Sequence, residues 1–248
     1  MNPDLKQSRI DLACALRWAA RLNLHEGVDN HFSLAVPDDD GVMRGNRFLI
    51  NAYGWHWSEF TASCLVLCND NGEVVEGDNE VEDTAFFIHS RIHIGAPHAI
   101  CVLHTHMPYA TSITLLEDGK LEMIEQNALL FDGRIAYDDE YEGLALASDE
   151  GDRLARKIGN NSILFMASHG VVVAGPTVAD AFNDLYYLER ASMFQVLAKS
   201  QGGNLRTISD RVRKETQAQF ADEAPKLADR HFTALRRVLD NVEPSYRH

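Results

Sequence analysis

The chain reads as an α/β protein: α/β/α layers around a mainly antiparallel or mixed central sheet. Three observations predict this. Apolar runs of strand length interleave with helical stretches, yet no strict β-α-β repeat emerges. Several of the strands look hairpin-like, and 248 residues with 45% apolar content suffice for one sizeable core.

Leu5, Leu12, Leu16, Ala19 and Leu22 recur at near-helical spacing, so residues 4–22 predict an amphipathic helix that stops before Gly27. The stretch 27–37 begins as a turn and becomes strand-like from Phe32 to Val36. Asp38-Asp-Asp40 is expected to be a solvated tip, Arg47 to Asn51 a strand, and Ala62 to Leu67 another, on which Cys64 and Cys68 would share a face. Between them, Gly54-Trp-His-Trp-Ser-Glu59 either offers polar site groups, Glu59 among them, or packs its aromatics while Ser58-Glu59 opens a turn. Asn69-Asp-Asn-Gly72 has hairpin chemistry, returning through residues 73–76.

Residues 83–93 predict a helix with Ala85, Ile88 and Ile92 as its inner stripe, ended by Gly95 and Pro97. His89 and His93 lie four apart, a ligand-capable spacing, with surface or supporting histidines as the plainer alternative. Ala128 to Phe131 and Arg134 to Tyr137 read as short elements before an acidic loop, 138–142. Ser148 is expected to cap a helix over 149–158 that Gly159 closes. Pro176 and Thr177 open the next helix, Val178 to about Lys199, and two charged helical segments, 209–221 and 223–242, form a tail.

The chemistry concentrates in Ala99 to His106, a short apolar run bounded by Pro97 and Met107-Pro108. On a strand, His104 and His106 project to one side and Thr105 to the other, so two imidazoles can share a divalent ion. A second apolar run, Ile163 to Ala167, ends in Ser168-His169-Gly170. Its histidine supplies a third ligand, and Gly170 would allow a tight turn behind it. Three histidines with positions left open describe a catalytic rather than a structural site.

His104-Thr-His106, Ser168-His169-Gly170 and Gly27-Val-Asp-Asn30-His-Phe-Ser33 resemble the class II aldolase/adducin family. Phe48-Leu-Ile-Asn-Ala-Tyr-Gly54 and Tyr186-Tyr-Leu-Glu-Arg190 look like its adducin-type branch. The resemblance covers roughly residues 8–203. It implies the same layered fold for 1–203, with 204–248 as a helical tail packed on that domain or on a neighbour, and a homotetramer with sites near subunit interfaces. It also implies one divalent ion per subunit on His104, His106 and His169, zinc by default, with manganese, iron or cobalt as alternatives. Asn30 would contact substrate, or else fix its turn through side-chain hydrogen bonds.

Sugar-phosphate aldolases of the family carry Ser-Ser-Glu where this chain has Asp83-Thr84-Ala85. Asp83 and Thr84 therefore stand at the substrate-binding positions, and the usual acid/base glutamate is missing. A carboxylate there would repel phosphate, so the expected substrate is a non-phosphorylated hydroxy/keto acid or a hydroxylated aromatic acid. The expected activity is that of a metal-dependent carbon-carbon lyase, aldolase or decarboxylase, working through an enolate. A non-catalytic adducin-like interaction domain is the alternative. Tyr137 matches a tyrosine that some aldolases bring from an adjacent subunit and is the first candidate proton carrier; Glu59 and metal-bound water are its rivals.

A net charge of -14 and the lack of a basic run argue against nucleic acid as a partner. The amino terminus shows no leader pattern and no stretch approaches membrane-spanning length, which predicts a cytoplasmic protein without a membrane partner. The four cysteines are expected to be reduced and buried.

Overall fold

The computed structural model describes the backbone of residues 3–143 and 148–248, and side chains there except those of Pro3, Asp4, Asp83 and Ser148. Among these residues, eight strands form one sheet flanked by helices. Chain order is α1 (Pro3–Arg21), β1 (His31–Ala35), β2 (Arg47–Ile50), β3 (Val66–Asn69), β4 (Val74–Glu76), α2 (Asp83–Gly95), β5 (Cys101–Thr105), α3 (Pro108–Thr114), β6 (Ile135–Asp138), α4 (Ser148–Ile158), β7 (Ile163–Met166), β8 (Gly170–Gly175), α5 (Val178–Ser200) and α6 (Asp210–Val242). The sheet order is β4-β3-β2-β1-β5-β8-β7-β6. Every pairing is antiparallel except β6 with β7.

Strand alternation sorts β1 and β5 into two faces. Phe32, Leu34, Cys101 and Leu103 enter the large apolar core shared with α1 and α5. Val102 turns the other way, into a smaller cluster with Ile88 and Ile92 of α2 and Leu154 of α4. His31, Ser33 and His104 share that second face, and β5 lies between β1 and β8 at the middle of the sheet. The site is therefore built on central strands.

Caps and turns explain several boundaries. Thr177 caps α5 by accepting Asp180 N–H, and Gly159 takes the left-handed conformation that ends α4. Ser148 lies within α4, and its capping role falls outside the described side chains.

Three expectations are corrected. Residues 62–64 form a short 3₁₀ turn and the strand starts at Val66, so Cys64 and Cys68 do not share a strand face. All four cysteines are free and buried. The charged tail is one helix rather than two, and Pro225 sits inside it. Ala228, Phe232 and Leu239 bury against the body, and this packing holds the helix together across the proline. His89 and His93 are not surface histidines either. Both are buried, and the Ser33 hydroxyl lies 2.5 Å from His89 Nδ1 and 2.7 Å from His93 Nε2.

Candidate metal centre

His104 and His106 lie at the end of β5, and His169 stands in the turn between β7 and β8. Their ring centroids are 4.9 to 5.0 Å apart, and one nitrogen from each lies within 4.8 Å of the others. The turn departs from expectation in its detail. Ser168, not Gly170, takes the left-handed conformation, at φ 57°. Gly170 is required by close approach: a Cβ there would stand 2.6 Å from the Thr105 carbonyl oxygen and 2.7 Å from His106 Cδ2. The glycine thus lets the third ligand approach the other two.

Two neighbours orient the imidazoles. His104 Nδ1–H donates to the Val171 carbonyl at 3.0 Å, and His106 Nδ1–H to Glu26 Oε2 at 2.6 Å. Both bonds leave Nε2 as the lone-pair nitrogen, and supporting acceptors of this kind are what metal-binding histidines ordinarily have. His106 Nε2 is buried with no partner among the described residues. Burial, reinforced by the neighbouring imidazoles, holds His104 well below the ordinary histidine range and His169 down to about 4. Both are neutral at physiological pH, the protonation state that binds metal. The residues present therefore fit a first-row divalent ion.

Asn30 sits beside them at φ 80°. Its Oδ1 accepts Glu26 N–H at 3.0 Å and His106 N–H at 3.2 Å, so the side chain does fix its turn. Its Nδ2 is buried, has no partner among the described residues and belongs to a residue that lines the cavity over the histidines. The left-handed bend also brings Asp29 and His31 into that cavity, which an extended chain would not do.

The cavity measures ≈ 470 Å³ and reaches the start of α2, where Thr84 and Glu82 line it. Asp83 begins α2, but its side chain lies outside the described residues. Ala85 is buried beside Phe48 and Cys68, so the acid/base position of the resembled aldolases has become core.

The two proposed proton carriers lie elsewhere in this chain. Glu59 closes a capping box, its Oε1 accepting His56 N–H at 3.1 Å, and it does not line the cavity. Tyr137 borders a separate pocket with Thr114 and Asp138, and its hydroxyl accepts Leu121 N–H at 3.2 Å. Burial pushes the Tyr137 phenol up, the Leu121 bond countering it in part. Among the described residues, the tyrosine that lines the cavity is Tyr141, whose ring centre lies 6.4 Å from that of His169. Sequence reasoning missed Tyr141, Glu26, His31 and Glu82. For Glu82 alone there was a signal, an acid directly before a predicted helix start.

The fold and the three histidines together define a member of a known class. Residues 10–196 match the family model of the class II aldolase and adducin N-terminal domain, and the chain belongs to that family. A solved aldolase II superfamily protein from Pseudomonas syringae is 33% identical and superposes with a TM-score of 0.89 over 100% of this chain and 98% of its own. Human beta-adducin is 32% identical over 86% of this chain, which spans 31% of that longer protein. The L-fuculose 1-phosphate aldolase of Glaciozyma antarctica shares the fold, with a TM-score of 0.85 at 21% identity, over 99% of this chain and 93% of that one.

Proposed function

We propose that the protein is a divalent-metal-dependent carbon-carbon lyase, aldolase or decarboxylase in type, acting on a non-phosphorylated hydroxy/keto acid or hydroxylated aromatic acid. The observation that carries this reading is the convergence of three histidines, two of them oriented by fixed acceptors, on one polar cavity. A bound divalent ion, zinc by default, would supply the Lewis acid that draws the substrate oxygens and accepts negative charge as the adjacent bond breaks.

The chain's own groups do the rest. Glu26 and the Val171 carbonyl hold two ligands in place, Asn30 Nδ2 donates to a substrate oxygen, and Thr84 borders the far wall. With Ala85 in the core, Tyr141 is the candidate proton carrier from the same chain, and Tyr137 serves only if it reaches a neighbouring subunit's site. We place the protein in the cytoplasm as a homotetramer with a small-molecule substrate. No helix among the described residues is long and apolar enough to cross a membrane.

The likeness to beta-adducin favours a second reading, a non-catalytic interaction domain that keeps the histidines. Proton exchange at the α-carbon of candidate keto acids, followed by NMR with and without chelator, separates the two. Exchange that chelator abolishes is the lyase outcome; a metal-loaded chain that exchanges nothing across the panel is the scaffold outcome.

A further inference from the structure

The N-terminus of α2 faces the cavity, and helix N-termini of this length are ready sites for anions because their first N–H groups lack intrahelical partners. Here the protein fills that position itself. Glu82 is the N-cap residue, and its Oε2 accepts Ala85 N–H at 2.8 Å, the Thr84 hydroxyl, and His31 Nε2–H at 3.3 Å. The Thr84 hydroxyl and the Ala85 N–H are thereby spent on an internal carboxylate. Its other oxygen, Oε1, has no hydrogen-bond donor among the described residues, although the residue lines the cavity.

The rest of the lining agrees in charge. Asp29 and Glu82 are its carboxylates, and no lysine or arginine is found among the described lining residues. Burial alone would raise the Glu82 carboxyl, but the bonds from His31, Thr84 and Ala85 outweigh it and hold the group at about 2. It is a fixed negative charge at working pH.

We infer that Glu82 is a built-in anion which occupies the α2 N-terminus and sets the charge selectivity of the cavity, refusing phosphate and accepting through Oε1 a hydroxyl or ammonium group at the far end of the substrate. This deepens the lyase reading and rests on it for the word substrate, though not for the charge selectivity. Coulomb repulsion in a partly dry cavity opposes a second anion at the same spot, and two donors that would help compensate a phosphate, the Thr84 hydroxyl and Ala85 N–H, are already engaged.

The test needs no turnover. Inorganic phosphate is titrated into the full chain while the backbone amide signals of Thr84 and Ala85 are followed by NMR. The wild type should show no saturable shift. Glu82→Gly, which keeps a tolerated N-cap residue while freeing the Thr84 hydroxyl and Ala85 N–H, should bind phosphate at least ten-fold tighter, with amides in α5 unchanged. Saturable binding at α2 in the wild type, or a Glu82→Gly chain no better than wild type, overturns the inference. Should the glycine variant fail to fold, Glu82→Gln keeps an oxygen for the cap and removes the charge; a several-fold gain in phosphate affinity supports the proposal and no gain overturns it.

A second arm compares glycolate with 2-phosphoglycolate on the zinc-loaded chain. Wild type should prefer glycolate, and Glu82→Gly should swing the ratio at least ten-fold toward the phosphorylated ligand; an unchanged ratio overturns the inference. If neither compound binds the zinc-loaded wild type while the phosphate titration behaves as stated, the lyase reading fails and the charge selectivity stands.

Discussion

The two faces of the central strands are both buried and differ in chemistry, since the second mixes an apolar cluster with polar groups. On one, Phe32 and Leu103 pack into the apolar core; on the other, His31, Ser33 and His104 sit among His89, His93 and the cavity. Successive residues of the same strands thus divide two tasks. Dispersion and water exclusion stabilise the sheet from the α1 and α5 side, while the opposite side accepts polar groups that cost desolvation and are retained where they find partners. Damage to the two faces should therefore appear in different measurements.

The sharpest break is to remove ligands from the polar face. His104→Ala with His106→Ala should abolish metal occupancy and turnover, as read by elemental analysis of the purified protein. Full occupancy in that double variant would sink the assignment. Across the sheet, Leu103→Ala should cost about 2–5 kcal/mol of unfolding free energy, the usual scale for a buried leucine, while metal content stays unchanged. A Leu103→Ala protein that loses its metal would show that the faces are not separate.

Acidity should act on the polar face through two buried imidazoles. Burial depresses His89 well below the ordinary histidine range and His93 to about 4. Both take up protons more readily unfolded than folded, so their contribution is present above about pH 6.5 and is lost as pH falls toward 4. The slope is at most about 1.4 kcal/mol per pH unit for each group. Chelator-treated protein should melt at steadily lower temperature between pH 6.5 and 4.5. A flat profile would mean that these two imidazoles find compensation on protonation. The smallest effect is expected at Glu26, where Glu26→Gln should weaken metal binding about 10- to 100-fold by competition titration, with little change in melting. No change in affinity would remove Glu26 from the support of His106.

The pattern of what could be foreseen follows the same division. Strand alternation placed His104 and His106 on one side, and an apolar run ending at His169 supplied the third ring, because both signals are local. The antiparallel character of the sheet was legible for a similar reason, through the hairpin at residues 69–72. Glu26 and Tyr141 come from irregular segments whose approach to the histidines depends on the tertiary path. His31 joins the cavity because Asn30 adopts a positive φ, a bend that the turn-like start of residues 27–37 allowed but did not place. Asn30 itself was visible as a candidate, yet its two ends have separate fates that require the neighbouring backbone to be in place. Glu59, read as a possible polar site group, and Tyr137, expected from the resemblance to serve an adjacent subunit's site, each make a local hydrogen bond within this chain, and neither bond could be foreseen without the neighbouring backbone.

The bond from His104 Nδ1 to the Val171 carbonyl joins positions 67 residues apart in the chain. Until β5 and β8 are paired, nothing fixes which nitrogen of His104 carries the proton, and the turn bearing His169 is not anchored beside it. On the proposed reading, metal loading would be a late event in the life of the molecule: the nascent polypeptide would offer scattered weak ligands, and a selective chelate would arise only after the middle of the sheet has closed. An ion captured at that stage works as a clasp across strands already joined, so its kinetic signature should be slower unfolding rather than faster folding.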